Sequence, residues 1–451
     1  MSEALKSELA SFETAWLNTD KVPEPKLGTK PITGDRYYSK EFMEKEWEHL
    51  WTKTWLIAGL ESQLSKPGDF ITCEIGREPI LCTKDRTGKI RVFYNVCQHR
   101  GNLLVDEEEG NRKHLTCAYH GWRFNLDGEL ALVPCPEDFP QGNPCGKLRL
   151  KELPCEIFAG FIWYSLDENI APLSDYLGPM KSQIECYQME NMKRTHWVSL
   201  DADFNWKCVQ DNFNESYHLP FIHPQTRYIM EQSYDGCQFD LYEPHGHTRM
   251  FMPGSRPTKS LRGEYQKVVS GLKEEIEFWG LNPDDFRDNP HSIRAALQKA
   301  KREKGAEKGF DFSRYNDNQL VDHYHYTIFP NMSFSLKPDG CIWLRADPHP
   351  TDPEKCVFDM WYFTWFPDGN SEYFSKAMYS GVDANKEVKH ERGKVGEVSF
   401  GPAIDQDLWV WLTQQRGLRS RGYTSEYMPD QERRIRFFHE NIDRYIAASS
   451  R

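Results

Sequence analysis

The sequence predicts an α+β chain in which an all-β module stands before a larger unit of mixed helices and strands, and three observations carry that prediction. Between about Trp55 and Asp167, short apolar runs alternate with Gly, Pro and Asp turns. Beyond Asp167, longer strand-like runs mingle with amphipathic helical stretches. A further helical stretch leads into the β-rich part. At 451 residues the chain has room for two or three domains, or one large domain carrying an insertion.

Taken in order, residues 1–50 form an N-terminal helical segment expected to pack on the large unit. Within "SKEFMEKEWEHLWTKTW", Phe42, Trp47, Leu50 and Trp51 recur at spacings of three to five, the mark of an amphipathic helix. Residues 51–168 form the β module, with "DFITCEI", "EPILCTK", "IRVFYNV" and "GFIWYSL" as strands. Residues 169–451 form the large unit. There "CVFDMWYFTWF" reads as a strand, and "IDQDLWVWLTQQRGL" and "DQERRIRFFHENIDRYIAAS" read as helices. "HYHYTIFPNMSFSL" is expected to be one strand, with His323, His325, Thr327 and Phe329 on one face and Tyr324, Tyr326 and Ile328 on the other. The charged stretch "RAALQKAKREKGAEKG" reads as a solvated helix with a loop. There is no internal repeat, no low-complexity tract, no G-x-G-x-x-G and no P-loop, so nucleotide-dependent chemistry has no visible home.

A net charge of −12 and a pI near 5.7 disfavour nucleic acid, whose phosphates need a basic footprint, and an anionic membrane surface. The opening "MSEALKSELASFETAW" lacks the apolar core of a secretory signal, and no run is long enough to span a bilayer. The expected location is cytoplasmic, where twelve cysteines read as reduced thiols or metal ligands.

Two of them stand out. In "CQHRGNLLVDEEEGNRKHLTCAYHGWRF", Cys97 and His99 are one residue apart and Cys117 and His120 two apart. Two cysteines and two histidines can make a zinc site, yet zinc ribbons and fingers usually pair Cys with Cys and His with His. One of each per loop suits a two-iron cluster, with both thiolates on one iron and both imidazoles on the other. Gly101 and Gly121 would let backbone amides approach the sulfurs. Cys73, Cys82, Cys135, Cys145, Cys155, Cys186, Cys208, Cys237, Cys341 and Cys356 show no metal spacing and read as small apolar residues, and His114 as a solvated loop histidine without a partner.

A second cluster lies in "NWKCVQDNFNESYHLPFIH". Glu215, His218 and His223 stand at E-x2-H-x4-H, with the first two expected on one helix face and Pro220 bending the chain before His223. Two histidines and a carboxylate with open positions form the facial triad of non-haem Fe(II).

With "HRGN" and "HGWRF" attached, the first motif resembles the Rieske [2Fe-2S] domain. The second, Asn212-x2-Glu215-x2-His218-x4-His223, resembles the iron-binding segment of the Rieske non-haem iron oxygenase (aromatic-ring-hydroxylating dioxygenase) α subunits, and the resemblance covers nearly the whole chain. It implies an all-β Rieske domain before an α+β helix-grip catalytic domain with a curved antiparallel sheet. It implies that Cys97, His99, Cys117 and His120 hold a [2Fe-2S] cluster and that His218 and His223 hold a mononuclear Fe(II). Glu215 would then be no ligand. It resembles the acid that bridges His218 to the second Rieske histidine, here His120, of a neighbouring subunit, with Asn212 completing the motif. Most relatives carry Asp there; Glu resembles the choline, glycine-betaine and carnitine monooxygenase branch. The third iron ligand belongs to a late helix resembling "SFGPAIDQDLWVWLTQQRGLRS": Asp407 first, Asp405 second, with either able to be an N-cap only. Asp407 is expected in the first turn, with Leu408, Trp411, Leu412 and Gln415 buried along one side.

The function implied is that of a terminal oxygenase component. It uses O₂ and electrons from a separate flavin- or ferredoxin-type reductase fed by NAD(P)H to hydroxylate or oxidatively demethylate a small organic, preferentially aromatic, substrate. A homotrimer is implied, with a β subunit as a further possible member. The alternatives are a monooxygenase of a quaternary ammonium compound and a non-catalytic Rieske electron carrier. Phe213, Tyr217, Phe221, His323, His325 and Phe329 are the candidate pocket residues. Aromatic side chains there suit a flat ring by stacking and equally a quaternary ammonium by cation–π contact.

Overall fold

Short runs of β-branched and aromatic residues pair into small sheets in the first of the two units into which the chain divides. The structure, a computed structural model, describes residues 21–259, 261, 265–367, 370–375 and 380–448. One unit comprises Met43–Gly178 with 348–352 and 445–448; the other comprises 21–42, Pro179–Asp347 and Pro353–Arg444.

The first unit is β-rich, with most of the helix Lys40–His49 at its start and the short helix Leu173–Leu177 at its end. One sheet of five strands runs in the order Glu109–Asn111, Asp69–Ile75, Glu78–Lys84, Ile90–Tyr94, Glu152–Leu153. A sheet of three strands joins Trp55–Leu60, Phe161–Ser165 and Cys155–Phe158, and another joins Leu115–Thr116, Arg123–Phe124 and Leu130–Leu132. The last of these carries the second Cys/His loop on its hairpin, and its core of Phe70, Phe93, Trp122 and Phe124 encloses Cys97 and Cys117.

The second unit is built on an eight-stranded, mostly antiparallel sheet. Its order is Gln238–Tyr242, His247–Met252, His323–Ile328, Met332–Lys337, Gly340–Pro348, Cys356–Thr364, Lys193–Ala202, His390–Gly393, and the last pair is parallel. Helices Trp206–Phe213, Pro402–Leu418 and Arg433–Ala448 pack in this unit through aromatic side chains. Trp411 meets Phe204, Phe213 and Phe358 at ring separations of 5.4, 5.8 and 5.4 Å, and Phe438 meets Trp206 at 5.7 Å. These four ring contacts together supply several kcal/mol of the packing in this unit.

Two expectations are corrected here. "HYHYTIFPNMSFSL" is a hairpin, not one strand: His323–Ile328 pairs with Met332–Lys337, Thr327 facing Ser333. Pro330 has no N–H for a ladder, so the chain turns there, and Phe329 leaves the strand to pack on Phe438 at 5.8 Å. The charged stretch is not simply solvated. Helix Ile293–Lys304 buries Ile293, Leu297 and Ala300 at helical spacing and takes two cations inward, Arg294 to Asp322 at 2.7 Å and Lys301 to Glu275 at 2.9 Å.

Candidate functional site

The two Cys/His loops have one backbone design. In each, the cysteine carbonyl accepts from the glycine four residues on (Gly101 N–H at 3.1 Å, Gly121 N–H at 3.0 Å), and the cysteine N–H donates one residue beyond (Asn102 O at 2.8 Å, Trp122 O at 2.9 Å). Closing that turn needs a left-handed residue, which Gly101 (φ +71°) and Gly121 (φ +69°) supply. Both thiols are buried, while His99 and His120 sit half-buried at the tips with rings 4.6 Å apart and edge-on. Trp122 stacks on His99 at 4.7 Å. Burial pushes the Cys97 thiol up, opposed by the backbone amides of His99 and Arg100 that point at its sulfur. Among the described residues, His120 Nδ1 is buried without a hydrogen-bond partner. Two thiols set deep beside each other, amides aimed at sulfur and an imidazole nitrogen lacking a partner fit a cluster with one all-sulfur and one histidine-bound iron. His114, expected to stand alone, has Arg86 at 3.5 Å from its Nε2.

The second constellation begins at helix Trp206–Phe213, capped by the Asn205 side chain, which accepts from the Lys207 N–H at 2.9 Å. The helix ends at Phe213, so Glu215 and His218 do not share a helix face. What ends it comes from distant segments: Asn214 Oδ1 accepts from the Thr248 and Thr327 hydroxyls at 3.1 and 3.0 Å, and Arg434 donates to the Phe213 carbonyl at 3.3 Å. Glu215 then organises the turn itself. Its Oε2 accepts from the backbone N–H groups of Tyr217 and His218, and its Oε1 meets His218 Nδ1 at 2.5 Å. Pro220, lacking an N–H, fits within the first turn of the short helix Leu219–Ile222, which delivers His223.

Helix Pro402–Leu418 brings the acid. Asp405, not Asp407, occupies its first turn, and its oxygens accept from the Phe400 N–H at 2.8 Å and the Ser399 hydroxyl at 2.6 Å. Asp407 lies in the second turn, buried with Leu408, Trp411 and Gln415, whereas Leu412 is only half-buried. Its Oδ1 is 3.0 Å from His223 Nε2 and 3.7 Å from His218 Nε2, and one donor atom from each of the three residues lies within 4.8 Å of the others. Gln406 Oε1 meets His223 Nδ1 at 2.8 Å, a residue that spacing alone did not single out although it adjoins Asp407. With Nδ1 of each ring held by an oxygen, the Nε2 lone pairs converge on the Asp407 carboxylate, a donor set that fits a divalent iron with open positions. Burial works to lower the His218 imidazole, and Glu215 and Asp407 outweigh it, so its pKa is raised.

The other expected site residues are scattered. Phe213 packs between His325 and Trp411, at 5.9 and 5.8 Å. His325 is buried, with Nδ1 3.0 Å from the Ser335 hydroxyl and Nε2 without a hydrogen-bond partner among the described residues. His323 is half-buried at the strand end. Tyr217 and Phe221 face outward, 50% and 78% exposed, and Phe329 belongs to the core. Asn212 lines a cavity of about 600 Å³ shared with Asp211, Glu215, His218, Glu426 and Glu432.

The sequence matches the Rieske [2Fe-2S] domain over residues 54–153 and the ring hydroxylating alpha subunit catalytic domain over residues 189–448. The chain belongs to the ring-hydroxylating α-subunit family. These two domains bring a Rieske cluster and a mononuclear iron as cofactors. Among relatives of this α subunit, the glycine betaine monooxygenase oxygenase subunit of Pseudomonas aeruginosa is 34% identical over 191 residues, 42% of this chain and 44% of that protein. The chain thus aligns with less than half the length of the first such relatives. The naphthalene 1,2-dioxygenase large oxygenase component of Pseudomonas aeruginosa is 34% identical over 351 residues, 74% of this chain and 72% of that one. Two crystal structures share the α-subunit fold. The quaternary ammonium Rieske monooxygenase CntA has a TM-score of 0.66 at 20% identity, covering 95% of this chain and 99% of its own. Naphthalene 1,2-dioxygenase from Rhodococcus sp. has 0.63 at 19%, covering 99% and 98%. Among the described residues no helix is long and apolar enough to cross a membrane.

Proposed function

We propose that this α subunit is a terminal oxygenase component that uses O₂ and electrons from a separate NAD(P)H-dependent reductase to hydroxylate or oxidatively demethylate a small organic substrate. The observation that carries the reading is the convergence of His218, His223 and Asp407, each ring aimed by its own oxygen partner. In this reading Cys97, His99, Cys117 and His120 hold the cluster and His218, His223 and Asp407 hold the iron. The cluster supplies electrons one at a time, and the iron supplies open positions for O₂.

The chain's own residues do the rest. Glu215 and Gln406 keep the proton on Nδ1 of each histidine, so Nε2 stays a lone-pair donor. Asp407, buried, adds negative charge where a divalent cation must be held. Glu215 uses three of a carboxylate's roughly four acceptor sites inside its own turn. One remains, on the wall of the cavity, for an incoming N–H. His120 of a neighbouring subunit in a cyclic trimer is the donor that this reading assigns, which closes a path from one cluster to the next iron.

The preferred substrate is aromatic, in line with the naphthalene dioxygenase likeness over most of the chain. A quaternary ammonium substrate is the second reading, supported by Glu215 in place of the commoner Asp and by the betaine monooxygenase likeness. A single turnover decides: the protein is loaded with iron, reduced without air, freed of reductant and given labelled O₂ with an aromatic or a methylammonium panel. Label in an aromatic product supports the first reading, and formaldehyde from a methylammonium compound supports the second. Only two irons per chain after anaerobic loading would instead leave a bare electron carrier.

A further inference from the structure

The iron donors leave unused a buried cluster beside them. The Tyr37 hydroxyl lies 2.6 Å from Asp211 Oδ2, 2.9 Å from Glu426 Oε1 and 3.1 Å from His439 Nε2, and that same nitrogen is 3.1 Å from Asp211 Oδ1. A phenol has one hydrogen. It can satisfy one carboxylate, so the second close oxygen must bring a proton of its own. Tyr37, Asp211 and His439 are almost fully buried, and Glu426 is half-buried.

The cluster borders the cavity of about 600 Å³ on whose wall Glu215 and His218 also lie, and Glu432 lines the same space. Glu426 is faced by Asp211 and Cys208 from helix Trp206–Phe213, by Glu432 and His439 from the C-terminal segment, by Tyr37 from the N-terminal one and by Tyr423 from its own loop. Among the described residues neither Glu426 nor Glu432 has an arginine or lysine partner. Burial first, then the acidic neighbours, push both carboxyls up to about 7, so near neutral pH each can hold a proton and release it.

We infer that Glu426, Tyr37 and Asp211 form a proton relay that feeds the iron site through the cavity shared with Glu215 and His218. The relay rests on the oxygenase reading and supplies what that reaction consumes. Hydroxylation of a C–H bond takes O₂, two electrons and two protons and yields the alcohol and one water; cis-dihydroxylation takes the same and places both oxygens on the substrate. The electrons come from the reductase and the protons from solvent by way of Glu426. His439 and Glu432 set the charge around the relay.

Two variants test it in the full chain. Glu426→Gln keeps a polar partner for Tyr37 and removes the acid; Tyr37→Phe keeps the ring and removes the hydroxyl. In single turnover each is expected to form product about tenfold more slowly, with a larger solvent deuterium isotope effect than the parent and less product per O₂ consumed. The Glu426→Gln melting temperature stays close to parental. A second readout needs no turnover: infrared titration from mildly acidic to mildly alkaline pH shows a protonated carboxyl in the parent that is missing from Glu426→Gln. Absence of that band in the parent overturns the relay, as do variants with parental rates and isotope effects. A parent that gives no product with any substrate overturns the oxygenase reading itself.

Discussion

At the scale of single residues, Glu215 holds its own turn together, and the bridging role proposed for it is tested by a neutral isostere. Glu215→Gln still presents an oxygen, but its NH₂ must face one of the donors now served by Oε1 and Oε2, the backbone N–H groups of Tyr217 and His218 or His218 Nδ1. Both metal sites are expected to stay occupied by iron analysis while coupled product formation is lost; parental turnover would remove the bridging role. The two aspartates of the late helix divide as sharply. Asp405 is spent on the Phe400 N–H and Ser399 hydroxyl, so Asp405→Asn should cost about 1 kcal/mol of stability, as a lost cap does, and leave iron content unchanged. Asp407→Asn should lose the mononuclear iron, leaving two per chain. Gln406→Ala removes the oxygen that orients His223 and also accepts from Gln225 Nε2 at 3.2 Å, and weakening of iron binding by about ten- to a hundredfold is expected by competition with a chelator.

At the scale of elements, the two cluster loops are copies of one turn, and their glycines predict a ranking. A Cβ at Gly101 or Gly121 would meet no described protein atom within 4 Å, so within the chain a substitution is penalised through the backbone. Gly121→Asn should be mildest, because Asn tolerates the left-handed region; Gly121→Ala should cost roughly 1–2 kcal/mol and Gly121→Val more. Visible absorbance of the cluster during melting reports the order, and an equal effect for all three would place the penalty elsewhere. These loops were legible in sequence because donors and glycines lie a few residues apart. So were the late helix and its buried Trp411, which follow from spacing. The helix end at Phe213 was not, since helical spacing runs through "QDNFNES" and the groups that stop it, Thr248, Thr327 and Arg434, come from remote strands and the last helix. Gln406 escaped for the same reason: its partner at the site, His223, is 183 residues away. Tyr217 and Phe221 adjoin His218 and His223 in sequence yet face outward: Tyr217 lies in the turn before the helix Leu219–Ile222, and Phe221 on that one-turn helix points away from the core.

At the scale of the whole molecule, the two units respond to pH in opposite senses. In the β unit, burial works against the Asp85 carboxylate, but hydrogen bonds from Thr87, Arg91 and Lys89 overcome it and hold it at about 2. Its folded pKa is depressed, so its contribution is present above 3.8 and is lost only as pH falls toward 2. In the sheet of the other unit, Arg345 serves two buried carboxylates, Asp347 at 3.1 Å and Asp359 at 2.5 Å, and one guanidinium cannot neutralise both. Burial raises Asp347 to about 7, with Asp359 adding to the rise and Arg345 and the Asn331 amide, 2.7 Å away, opposing it. A raised carboxyl reverses the sign: the folded unit holds a proton that the unfolded chain releases above 3.8, so the contribution is complete below that pH and disappears as pH rises through 7. The rise from 3.8 to about 7 is equivalent to about 4 kcal/mol across that window. Glu426, raised to about 7 in the same unit, adds in the same direction. Far-ultraviolet melting of the sheet unit should therefore shift to lower temperature between about pH 5 and 8, while loss of the cluster's visible absorbance holds steady. Asp347→Asn, which has no proton to lose, should make the first curve shallower, with the Glu426 part remaining, and leave the second untouched; an Asp347→Asn protein with the parental slope would move the alkaline weakening to another group.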